Sequence, residues 1–392
     1  MKTIIFLLLL IIGSSNIQNN HTFKSYTLFH ESGKLVEKPI LVNFLSPEGN
    51  IKHDYVHSLS FFELDSISFL DNNPDRQQLH GTTIELNFYP HKDSLHVVPF
   101  SPEYYSIFVA HHTIRAIEYY DSLFSGDIDI IDKLKENLAH YLDIEVYLGR
   151  YANSSPNQYV FTPGSLPSPT IVYHEVGHLV FWLLQNILPI GEVGYILHMG
   201  LLEYFTVSLA NHPVVLEGLV PNELLRDASQ NLRYPDDILN YAQFMNLYYE
   251  AYKDSFEVAP NYKLLYDINQ KRMAQWDSLY NRTNVAEDVI EAHKSGMVIT
   301  HPLWKIRSKI GQKKCDKLVK NAMLLLPSIL PMRDDYLDDS VTPPEGRAVW
   351  YDLVYAILLS DESLYSGAHN DLISHAFRNT GFNLDVIQME KL

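Results

Sequence analysis

His174, Glu175 and His178 have the types and the spacing for metal chemistry. Side chains four apart on an α-helix lie on one face, one turn apart, so two imidazoles can present nitrogens to a single ion while Glu175 projects beside it. Two neutral imidazoles suit Zn2+, which acidifies a bound water toward neutrality. An adjacent carboxylate is placed to take that water's proton as it attacks a carbonyl. The flanking runs Thr170-Ile171-Val172-Tyr173 and Leu179-Val180-Phe181-Trp182-Leu183-Leu184 are strongly apolar, so the helix is expected to be largely buried. Burying two histidines and a glutamate without partners costs roughly several kcal/mol, which a metal would offset. Gly177 between them leaves room for close packing or for a substrate backbone.

The elements that must position this helix fall in three blocks. From about 22 to 100 the pattern is strand-like, as in Ile84-Glu85-Leu86-Asn87-Phe88-Tyr89 and His96-Val97-Val98-Pro99-Phe100, broken by Pro, Gly and Asn/Asp clusters. Ser101-Pro102-Glu103 supplies an N-cap, a first-turn proline and an early acid for a helix from about 102 to 122. Residues 143–163 return to strand character, and Pro163-Gly164 with Pro167 and Pro169 turns the chain toward the histidine helix. Beyond 200 the chain reads as mostly helical, with apolar-periodic segments near 200–210, 238–253, 303–326, 346–359 and 369–379. The expected fold is α+β, with the active cleft between a mixed α/β lobe and a helical C-terminal lobe. The expected divisions are 1–15, a β-rich N-terminal portion 16–100, a mixed lobe 101–210 carrying the His-Glu-x-x-His helix, and a helical lobe 211–392.

Composition bounds the setting. Met1-Lys2, the aliphatic run Thr3 to Ile12 and the small residues Gly13, Ser14 and Ser15 read as a cleaved export signal, which places the mature protein in a secreted or periplasmic location. The run is shorter than the roughly 20 residues a spanning helix needs, so no membrane span is expected in the mature chain. Cys315 is the single cysteine, which excludes a disulfide-stapled scaffold. The net charge of −17 becomes −18 when Lys2 leaves, and a surface of that sign repels phosphate backbones, so nucleic acid is excluded as a partner.

Beyond the histidine motif, the chain from about 150 to 385 resembles the thermolysin-like zinc metallopeptidases, the gluzincins, particularly their bacterial and fungalysin-like members. Pro169-Thr170-Ile171-Val172-Tyr173 leading into His174 is similar to the start of that family's motif helix, and Gly200-Leu201-Leu202-Glu203-Tyr204-Phe205 to its Glu-Gly-Leu-Ala-Asp-Tyr-Phe segment. Asn231-Leu232-Arg233-Tyr234-Pro235 resembles a stretch that often follows, and His293-Lys294-Ser295-Gly296 with Leu303-Trp304 resembles the segment that supplies a late histidine. The resemblance implies a zincin-like fold, Zn2+ as cofactor, a peptide or protein substrate, Glu175 as general base, and His293 as the group that stabilises the oxyanion.

The family's third zinc ligand is the glutamate immediately before that glycine, and here Met199 stands in its place. A neutral thioether is a poor substitute for a carboxylate on zinc. Glu203, four residues on, occupies the position where the family places an acid that orients a histidine ligand. Either Glu203 moves in as ligand beside His174 and His178, which requires an axial shift of about 6 Å, or a two-histidine site remains. His198 is a further candidate. His111, His112, His212, His301, His369 and His375 lack ligand spacing, Trp304 reads as a core anchor, and Asp227, Asp236 and Asp237 as turn and cap residues. Three functions are compatible with this pattern: a secreted zinc endopeptidase, a pseudopeptidase that binds or scaffolds through a degenerate site, and a non-peptidase hydrolase using the same helix.

Overall fold

Ser101 opens the first helix as the sequence requires: its hydroxyl accepts from the Tyr104 amide at 3.2 Å, Pro102 follows, and the helix α1 runs Pro102–Phe124. In this computed structural model, residues 23–386 are described apart from short interruptions, the longest at 47–52, 70–76, 134–142, 185–191 and 330–342. The export signal expected at 1–15 lies outside the described residues.

The fold is mixed α+β. Strands β1 (Phe23–Glu31) and β2 (Lys34–Val42) form an antiparallel hairpin, extended by the short β6 (Ser94–Leu95) and β5 (Pro90–His91) in the order β2-β1-β6-β5. A second sheet has the order β4-β3-β7-β8, from β3 (Ser58–Phe69), β4 (Gln77–Ile84), β7 (Asp143–Leu148) and β8 (Gln158–Phe161). β3 runs antiparallel to β4 and parallel to β7, and α1 lies in the connection that leads to β7. The strand expected at 84–89 stops at its first residue, because the Asn87 amide donates at 3.0 Å to Glu103 of α1 instead of to a neighbouring strand. The strand expected at 96–100 is a turn, closed by the Ser101 amide on the Val98 carbonyl and by Phe100 at φ 65°.

Helices dominate the rest. α2 (Pro169–Leu183) carries the histidine pair, α3 (Glu192–Ala210) packs on it, and two short strands, β9 (Val214–Val215) and β10 (Arg226–Asp227), pair antiparallel after α3. α4 (Tyr241–Tyr252) and α5 (Pro260–Leu279) enclose a separate aromatic cluster around Met245, Tyr248, Tyr252 and Leu265. α6 (Ala292–Ile310), α7 (Gln312–Ile329), α8 (Pro343–Tyr365) and α9 (Asn370–Asn379) complete the order. The apolar segment at 303–326 is thus two helices, divided at Gly311, whose φ of 88° is open to glycine and costly for other residues. One hydrophobic core runs from the N-terminal sheet through α1, α2, α3 and on to α9. No helix among the described residues is long and apolar enough to cross a membrane.

Two close approaches fix the helix that matters. A Cβ on Gly177 would stand 3.0 Å from the Tyr120 hydroxyl and 3.2 Å from Leu202, so this glycine serves packing between α1, α2 and α3, not a substrate backbone. α3 and α6 touch backbone to backbone: a Cβ on Gly296 would meet the Gly200 nitrogen at 2.8 Å, and one on Gly200 would meet the Gly296 carbonyl at 2.8 Å. The Thr300 hydroxyl seals the crossing by donating to the Gly200 carbonyl at 2.8 Å. Gly296→Ala is therefore expected to destabilise the protein by about 1–3 kcal/mol, the usual cost of overpacking, read from urea unfolding midpoints. An unchanged midpoint would mean that the crossing yields freely.

Candidate metal centre

His174 and His178 emerge from α2 one turn apart with their Nε2 atoms 3.1 Å from each other and ring centroids 4.6 Å apart. His174 is buried and His178 half-buried, and Glu175 between them is 7% exposed. From the opposite side α6 brings in His293, whose ring centroid stands 5.9 Å from that of His174. One ligand atom from each of His174, His178 and His293 lies within 4.8 Å of the others, the arrangement among the described residues that could hold an ion. The histidine expected at the oxyanion thus sits within ligand range.

The Nδ1 edge of each of these rings faces a polar partner. Oε2 of Glu203 on α3 lies 3.3 Å from His174 Nδ1, and its Oε1 accepts from the Arg226 guanidinium of β10. Glu203 is fully buried; burial alone would raise its carboxyl, but Arg226 and then His174 outweigh that and hold it at about 2. Of the two roles open to Glu203, ligand or orienter, this position matches the orienter. His293 Nδ1 lies 3.1 Å from Oε1 of Glu291, which also caps α6 by accepting from the His293 and Lys294 amides at 3.0 and 2.7 Å. His178 Nδ1 lies 3.3 Å from Nε2 of His198, whose ring stacks on it at 5.5 Å between centroids. Met199, at the position of the family's carboxylate, is completely buried within the apolar core.

The other sequence-level candidates lie elsewhere. His301 Nδ1 donates to the Ala228 carbonyl, His369 pairs with Asp361, His212 with Glu217, and His112 joins the Leu28 carbonyl to the Tyr173 hydroxyl. Asp227 caps a turn at the Ser229 amide and Asp237 accepts from the Arg233 amide. Trp304 packs against the cluster of Val207, Val215, Ala228 and Met297 beneath Arg307. Arg226 and Glu291 are the residues that sequence reading missed. Arg226 is revealed only by tertiary packing against Glu203, whereas Glu291 stands two residues before His293 and is revealed by its place as the cap of α6.

No model of a known protein family matches this chain, and no curated protein does. The site must therefore be read from its own chemistry.

Burial lowers His174 and His198 to about 4 and His178 well below the usual imidazole range, while burial raises Glu175 to about 8. A histidine whose folded pKa lies below its unfolded value of about 6.5 contributes stability above 6.5 that is lost as pH falls toward 4. Glu175 works in the opposite sense, since it keeps a proton in the fold that the unfolded chain has released above about 4.5. The three imidazoles outnumber it. Metal-free protein should lose stability between pH 6.5 and 4 with a net uptake of at most about two protons on unfolding, on the order of 2–3 kcal/mol per pH unit at its steepest. Thermal melts across that window check the sign, and flat melting temperatures would show that the rings are solvated.

Proposed function

We propose that this chain is an exported, zinc-dependent peptidase of zincin-like architecture, with Glu175 as its general base. The observation that carries the reading is the junction of the His174–His178 pair, a buried carboxylate next to it in sequence, and a third imidazole delivered from α6. The donor set fits zinc: nitrogen ligands on helices, with carboxylates at the outer ring nitrogens of His174 and His293. His174 and His178 would hold it, with His293 within reach.

Zinc, when bound, supplies an acidified water and a positive charge that polarises the scissile carbonyl. Glu175 accepts the proton of the attacking water at its carboxylate and passes it to the departing amine. Glu175, whose ionised form burial disfavours, would be held ionised by a dication at the neighbouring imidazoles. Glu203, held by Arg226, keeps the His174 ring turned with Nε2 inward. The buried position of His174 and Glu175 on α2 keeps the electrostatic interactions on that side of the site strong.

The pseudopeptidase reading rests on Met199 and holds only if zinc requires a ligand from that position. The test is digestion of a peptide library by zinc-loaded protein with and without a chelator, followed by mass spectrometry. Cleavage at internal bonds that the chelator abolishes is expected. Zinc-loaded protein that cleaves no peptide would contradict the reading and favour a binding role.

A further inference from the structure

We infer that the third protein ligand is His293, so that the centre consists of three neutral imidazoles, each held at its Nδ1 edge: His174 by Glu203, His293 by Glu291 and His178 by His198. This deepens the metal-dependent reading above and rests on it. It departs from the carboxylate-bearing ligand set that the family resemblance implies.

The two nitrogens of an imidazole point to opposite edges of the ring, and Glu203 contacts His174 at Nδ1, whereas Nε2 is the atom facing His178. A carboxylate on the Nδ1 edge cannot share an ion with Nε2 of the same ring. To ligate, Glu203 would have to leave Arg226 and pass around His174, stranding a buried guanidinium. His293 needs no such exchange. Its Nδ1 is engaged by Glu291, and Nε2 is the nitrogen that would ligate.

Ionised carboxylates only accept, so Glu291 places the ring proton of His293 on Nδ1, and the charge of Glu203, 3.3 Å from His174 Nδ1, favours the same tautomer there, which leaves each Nε2 as a lone pair. His178 Nε2 then stands 3.1 Å from the lone pair of His174. Without an ion, His178 must donate there and accept at Nδ1 from His198. With an ion, the proton of His178 moves to Nδ1 and His198 Nε2 becomes its acceptor. His198 is thus a positioning residue that permits both tautomers.

Nitrogens bound at about 2.0–2.1 Å to one tetrahedral zinc stand about 3.3 Å apart. The His174–His178 pair is already at that spacing, and His293 has to close by no more than about 1.5 Å from the first turn of α6. The Gly200–Gly296 crossing sets that turn in place. A histidine ligating through Nε2 has no proton there to give an oxyanion, so the role expected for His293 from the sequence is exchanged for ligation. An all-nitrogen set selects zinc, cobalt, nickel or copper over magnesium and calcium.

The experiment uses the chelator-stripped full-length mature chain, titrated with zinc against a chromophoric competitor, with X-ray absorption at the zinc edge. Wild type should show a nitrogen shell with the outer scattering of three imidazoles. His293→Ala should weaken zinc binding at least 100-fold. Glu203→Gln, Glu291→Gln and His198→Phe should each weaken it about 10–100-fold with three imidazoles retained. Circular dichroism of the stripped variants controls for folding, and the Glu291→Gln spectrum carries the test if His293→Ala fails to fold. Wild-type zinc affinity in His293→Ala, or a two-imidazole-plus-carboxylate spectrum abolished by Glu203→Gln, would overturn the assignment. A three-imidazole zinc centre that hydrolyses no peptide leaves the ligand set standing and removes the peptidase reading. Hydrolysis and tight zinc retained in His293→Ala does the reverse.

Discussion

Glu175→Gln is expected to lower peptide hydrolysis by roughly 10²–10⁴-fold, while zinc affinity stays within about threefold of wild type. The substitution keeps the shape of the side chain and removes only its capacity to accept a proton. Glu175 lies between the two ligand histidines in sequence but is not part of the His174, His178 and His293 cluster, so the ring geometry does not depend on its charge. Burial that raises its carboxyl to about 8 means that the charged form is disfavoured in the metal-free protein, and Gln should therefore leave the stripped protein as stable as wild type or more so near neutral pH. Rates on a cleaved peptide, together with zinc competition, check both halves. A variant that still cleaves at the wild-type rate would remove Glu175 from the mechanism.

Arg226→Met should destabilise the fold by about 3–5 kcal/mol, because it leaves the fully buried Glu203 carboxylate without its cation. The carboxyl held at about 2 by Arg226 and His174 would then move upward and take a proton, which also removes the acceptor at His174 Nδ1. Zinc affinity should fall with stability. The double variant Arg226→Met with Glu203→Gln removes the stranded charge and should recover most of the stability but not the zinc affinity. Urea unfolding of the two single variants and the double variant closes the cycle. Additive losses would show that the two residues do not act as a pair.

Which parts of this site could be read from the chain follows from what sets each contact. His174, Glu175 and His178 were legible because a four-residue spacing is a property of the helix itself and needs no partner. Glu203 was legible as a residue of interest but not as to role, since the choice between ligand and orienter depends on which edge of His174 it meets. Arg226 sits in a two-residue strand and reaches the site only through Glu203, by tertiary packing, whereas Glu291 meets His293 locally as the cap of α6 and is invisible until the start of that helix is fixed. The same limit applies to the fold. The β-rich beginning, α1 and the helical second half follow from alternation, capping and periodicity, but α5 has too little apolar surface on one face to stand out, and its inner side is defined only by the aromatic cluster it shares with α4. Gly311 divides 303–326 because of its backbone conformation, which apolar spacing does not record.

Met199 takes on a different meaning in this light. Read along the chain, it is a missing ligand; in the fold it is a core residue whose backbone carbonyl carbon would lie 3.2 Å from a Cβ on Gly296, at the crossing that brings His293 to the site. Met199→Glu would place a carboxylate in apolar packing, and it is not needed for a site completed from α6.

The account stands most directly on one titration. Chelator-stripped wild-type protein is supplied with zinc in increments while bound metal and peptide cleavage are followed together. Cleavage that rises in proportion to bound zinc and saturates at one ion per chain is the result expected. One zinc bound per chain with no cleavage at any point would contradict it and leave a binding protein built on a peptidase-like site.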